Sequence, residues 1–76
     1  MKTTTIIARH YFEAVRYAFD YHCGEFRFAN SLADVAGLSR TAPIVILPSA
    51  RQLIDADAIS QYLAQGDYSD IRRIST

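Results

Sequence analysis

Two short polar segments carry most of the groups in this chain that could do chemistry. Arg9-His10-Tyr11 follows one apolar run, and Ser49-Ala50-Arg51-Gln52 follows another. Two guanidinium groups brought together beside a helix start would hold an anion, because arginine presents a planar fork of donors and a helix start adds unpaired N–H groups. Ser49 and His10 would make a nucleophile and its base if they met, but no nucleophile-elbow glycines surround Ser49, which lies between Pro48 and Ala50. Metal ligation fails on spacing. His10 and His22 are separated by about 18 Å if one helix joins them, and His22 with Cys23 supplies too few ligands. Asp55 and Asp57 have the spacing of helix-start acids rather than of a catalytic pair.

Phosphate-cradling loops need glycines where backbone N–H groups approach the ligand. Ala8-Arg9-His10-Tyr11 has none, and Gly24, Gly37 and Gly66 all stand where helices should stop. No cofactor, no metal and no catalytic residue is therefore assigned, and the chain reads as a non-enzyme.

The elements that position these residues follow from patterning. Residues 3–8 are β-branched at five of six positions and apolar at consecutive ones, which predicts a strand covered on both faces. A helix is expected over residues 10–22. Phe12, Val15 and Phe19 form its apolar stripe, widened by Tyr11, Ala14 and Ala18, while Glu13, Arg16, Tyr17 and Asp20 make the exposed side. Gly24 is its stop. Glu25 to Ala29 alternates, with Phe26 and Phe28 on one face, as a half-exposed edge strand does. Ser31 caps a short turn of helix, with Asp34 in the capping-box position and Gly37 at its end.

A loop spans residues 39–43. Ile44 to Leu47 is apolar throughout and predicts a second interior strand. Residues 48–52 form the loop after it. A further helix begins at Asp55 or Asp57, buries Ile59, Tyr62 and Leu63, and ends at Gly66. Residues 70–74 make a last strand charged enough for an edge.

Strands alternating with helices predict a single α/β domain over residues 1–76, with a mainly parallel four-stranded sheet, in two or three layers. The two fully apolar strands belong in the middle, and right-handed crossovers then give the order 2-1-3-4, with two main helices on opposite faces. In such a sheet the ligand crevice lies at the carboxyl ends of the central strands. That puts Arg9, His10, Tyr11, Ser49, Arg51 and Gln52 at one rim, with Arg40 as an added base.

Seventy-six residues with eight acids and eight bases leave no net charge, and half of them are apolar. A phosphate-backbone binder normally carries a basic excess, so nucleic acid is not favoured as a partner. Seven of the eight bases are arginine. Arginines among tyrosines resemble protein contact surfaces, and Glu13, Arg16, Tyr17, Tyr68, Arg72 and Arg73 are the residues expected to form one. The one cysteine has no partner within the chain, which suits a reducing compartment. With no apolar run near the length of a membrane span and no signal-peptide core, the expected place is the cytoplasm.

The segment Ala8-Arg9-His10-Tyr11-Phe12-Glu13-Ala14-Val15-Arg16-Tyr17-Ala18 resembles small uncharacterised proteins encoded by bacteriophages and prophages. The likeness spans about the first 50 residues. It implies a mobile-element origin and, by context, a phage-encoded inhibitor or accessory factor that binds a host enzyme or defence complex in the host cytoplasm. It implies no catalytic residues. Free sheet edges add the expectation of a partner, or a second copy, joined by strand addition. The competing expectation is an anion, nucleotide or nucleic acid held at the crevice.

Overall fold

A computed structural model of the chain describes residues 3–38 and 41–74. Arg40 and part of the expected 39–43 loop lie outside the described residues. The elements in chain order are β1 (Thr4–Ile7), α1 (Tyr11–Asp20), β2 (Phe26–Ala29), α2 (Leu32–Val35), β3 (Ile44–Ile46), a 3-10 turn (Pro48–Gln52), α3 (Ala56–Gln65) and β4 (Ile71–Arg73). The four strands form one parallel sheet in the order β2-β1-β3-β4. The expected topology is the observed one.

Burial explains the order. Thr5, Ile6, Ile7 and Ala8 are at most 1% exposed, and Ile44 and Val45 are buried as well. Strands without a polar face are stable only with a neighbour on each side and cover above and below. The flanking strands carry the charges, Arg27 on β2 and Arg72 and Arg73 on β4, all exposed.

The sheet divides the core in two. On one face Ile6, Ala8, Val45 and Leu47 pack with Ala14, Tyr17 and Ala18 of α1, and Phe26 and Phe28 close the side. On the other face Ile7, Ala29 and Ile44 pack with Val35 of α2 and with Ile59 and Leu63 of α3. The domain therefore has three layers.

The orientation of α1 departs from the expectation. Phe12, Val15 and Phe19 point outward, 68%, 41% and 81% exposed, while Tyr17, assigned above to the exposed side, is buried. The reason is phase. The short Arg9-His10 connection fixes where the first turn starts, and successive residues then advance by 100°. Turning the phenylalanine stripe inward would require a large rotation that the connection does not permit. The residues facing the sheet are Tyr17 and two small ones, Ala14 and Ala18, which are buried against it.

The helix ends also have their own chemistry. In α1 the amide of Cys23 donates to the Ala18 carbonyl (2.9 Å) and that of His22 to Phe19 (3.4 Å). This is a Schellman motif with His22, at φ 53°, in the left-handed position that glycine usually fills. Gly24 has its positive φ two residues further on and serves the turn into β2. At the end of α3 the left-handed residue is Asp67, while Gly66 has φ −85°. Gly66 is required for space instead, because a Cβ there would lie 2.2 Å from the Tyr68 ring.

Ser31 caps α2 as expected, its Oγ accepting from the Asp34 amide at 3.4 Å. Asp34 answers with Oδ2, which accepts from the Ser31 hydroxyl and the Asn30 amide. Asp55 stands at the cap position of α3, yet its carboxylate accepts from the Leu32 amide of α2 at 3.0 Å. One acid thereby satisfies an unpaired donor at the start of α2 and ties the two helices on that face together.

Candidate functional site

The connections after β1 and β3 meet at the carboxyl edge of the sheet because those strands are neighbours. There the Arg9 amide donates to Ser49 Oγ at 3.1 Å, and the Arg9 guanidinium donates to the Gln52 side-chain carbonyl. The Ser49 hydroxyl in turn donates to a carboxylate oxygen of Glu13. Arg9, Ser49 and Gln52 are brought together as the sequence indicated.

Glu13 is the participant that sequence reasoning missed. Helical spacing puts it on the exposed side of the helix with Arg16, but it is half-buried at the crevice. The available signal was its position three residues after His10, in the first turn of α1, where a side chain leans back toward the strand end. Arg16 pairs instead with Asp20, at 4.0 Å between two exposed side chains, a contact of little energetic weight.

The other residues assigned to the rim go elsewhere. His10 stacks on Phe12, with ring centroids 5.4 Å apart, while the Ser49 hydroxyl is engaged by Glu13, so the serine–histidine pair is not formed. Tyr11 turns toward β2 and packs on Phe26 and Phe28 at 6.0 and 5.5 Å. Arg51 lies on the α3 side of the sheet, where it lines a cleft of about 220 Å³ with Arg73, Asp57 and Ser60. Arg9 and Arg51 thus share an edge of the sheet, but Arg9 does not line the cleft that holds Arg51. The polar groups of the expected crevice are engaged with one another, and Glu13, Ser49 and Gln52 line an open cavity of about 640 Å³ beside α1 with a carboxylate at its wall.

The expected contact surface is likewise redistributed. Tyr17 is 9% exposed and stacked on Tyr21 at 4.4 Å, because it faces the sheet. Tyr68 is half-buried, its ring over Gly66 and 6.2 Å from that of Tyr62. Arg16, Arg72 and Arg73 are exposed, but the strand register sends Arg72 and Arg73 to opposite faces. These side chains do not make one continuous surface.

What does make one is the outer side of α1. Apart from Ile54 and Tyr62, every large apolar side chain exposed among the described residues lies on this helix or at its C-cap: Tyr11, Phe12, Val15, Phe19 and Tyr21. Val15 and Phe19 continue into a groove whose far wall is Phe26 of the edge strand β2. Val15, Phe19 and the strand edge thus form one apolar surface, while Phe12 and Tyr21 also line the cavity on the other flank of α1 with Leu47 and Ile74. The sequence signal was the stripe itself, legible as apolar spacing but assigned to the core.

No family model, curated protein or solved structure matches the chain. Among the described residues, no group of three or more histidine, cysteine, aspartate or glutamate side chains could hold a metal, and no helix is long and apolar enough to cross a membrane.

Proposed function

We propose that this chain is a non-enzymatic protein-interaction module whose contact surface is the outer side of α1 together with the β2 edge. The observation that carries this reading is the outward stripe of Phe12, Val15 and Phe19. Exposed aromatic rings gathered in one patch are unfavourable in water and enriched where proteins meet. Scattered apolar residues would need no such explanation. The resemblance to phage-encoded proteins extends the reading to an inhibitor or accessory factor acting by contact in a host cell. A photo-crosslinking amino acid at position 19, compared with one at the exposed Gln65 on α3, tests it in producing cells. Specific protein adducts from position 19 alone are expected. Equal labelling from both positions, or none from either, would remove the reading.

The second reading, an anion, nucleotide or nucleic acid at the loops after β1 and β3, is supported by Arg51 and Arg73 lining one cleft near the start of α3. Glu13 beside Ser49 and the engagement of Arg9 by Gln52 count against the crevice itself. This reading predicts a salt-dependent rise in Tm with inorganic phosphate that Arg51→Ala abolishes. An unchanged Tm removes it.

A further inference from the structure

The apolar surface of α1 does not end at the helix. It runs onto an edge strand whose outer side is unpaired among the described residues, and a strand edge accepts another strand by backbone hydrogen bonding. We infer that the occupant of this surface is a second copy of the chain, joined across a two-fold axis through antiparallel β2–β2 pairing, with α1 packed on α1 above the joint. This inference rests on the interaction-module reading and deepens it by naming the partner.

Symmetry and charge select the register. A two-fold axis normal to the sheet keeps each face of one copy continuous with the same face of the other. Residues directly opposite must then come from the same face. Alternation along β2 puts Phe26 and Phe28 on the α1 side and Arg27, with Glu25 before it, on the other. One allowed register centres on Arg27 and sets it against Arg27 of the second copy, a repulsive arrangement. The neighbouring one centres on Phe26. It stacks the two Phe26 rings on the axis and places Glu25 opposite Arg27 of the second copy, twice by symmetry. Glu25 and Arg27 are both exposed and free to pair across the joint.

The helices agree with the same axis. Val15 and Phe19 share the groove with Phe26, so an axis through Phe26 passes between them. An antiparallel pair of α1 helices centred there places Val15 of one copy against Phe19 of the other. The positions 12, 15 and 19 repeat at the three- and four-residue spacing of a two-helix seam. Area is consistent as well. At the observed exposures, Tyr11, Phe12, Val15 and Phe19 offer roughly 500 Å². That is about a tenth of the 5179 Å² surface, and the β2 edge adds toward the roughly 800 Å² per partner of a standard interface.

Sedimentation equilibrium of the purified chain over a concentration series tests the inference. The expected mass is twice the 8.5 kDa of the chain, with dissociation at micromolar concentrations. Glu25→Arg and Arg27→Glu should each weaken the dimer by about tenfold, and the double exchange should restore it, since it re-forms the opposite-charge pairs with reversed sense. Phe19→Asp should give a monomer whose circular dichroism is unchanged. A wild-type chain that stays monomeric at roughly millimolar concentration overturns the inference, as does a dimer indifferent to both charge reversals. Crosslinks from position 19 to a different protein, in a chain that remains monomeric, would remove the second copy while leaving the interaction module intact.

Discussion

The two faces of the sheet are built on opposite plans. On the α2–α3 side the helices turn their large apolar residues inward, with Val35, Ile59 and Leu63 all at most 4% exposed. On the α1 side the inward residues are Ala14, Tyr17 and Ala18, while the phenylalanines face water. The first face is completed within the chain. The second leaves Phe12, Val15 and Phe19 in contact with water. Helix amphipathicity reports that a helix has an apolar side, but not whether that side is meant for its own sheet or for another molecule.

The comparison can be broken by substitution. Leu63→Ala on the completed face removes a fully buried side chain and should cost about 2–5 kcal/mol, read as a lower midpoint in urea unfolding. Ala14→Leu should cost about 1–3 kcal/mol on the same assay, because nothing between α1 and the sheet yields space. Ser49→Ala should cost about 1.5 kcal/mol, since it strips the Glu13 carboxylate of a donor and the Arg9 amide of an acceptor. His22→Gly should raise stability by about 1 kcal/mol by relieving a left-handed residue. Phe19→Ser should leave the stability of the isolated chain within about 0.5 kcal/mol, measured at a concentration too low for self-association. If Ala14→Leu proved harmless and Phe19→Ser cost several kcal/mol, the assignment of the two sides of α1 would be reversed.

The candidate site divides in the same way between what was legible and what was not. Arg9 and Ser49 meet because each follows a strand that patterning alone marks as interior, and interior strands in a parallel sheet of this order are neighbours. Glu13 is harder to read as their partner, because helical spacing puts it with Arg16 on the polar side of α1 and only its first-turn position lets it lean back to Ser49. Arg51 could not be separated from Arg9 by sequence, since the 3-10 turn that carries Arg51 to the α3 side is a matter of local winding over Pro48–Gln52. Gly66 was recognised as a helix end, yet for a conformational reason that belongs to Asp67. Its own need for a missing Cβ comes from a tyrosine two residues later.

By itself the order of apolar runs and helical periods determined the α/β class, the parallel sheet, its 2-1-3-4 order and the edge at which β1 and β3 deliver their loops. Those features follow from the need to cover a strand on every side that carries no polar group, and that need is written in residue type. Only the tertiary structure decided which side of α1 meets the sheet. Rotation about a helix axis is set by the length of the connections at its ends and by how closely the packed surfaces approach, and neither is recorded in hydrophobic spacing.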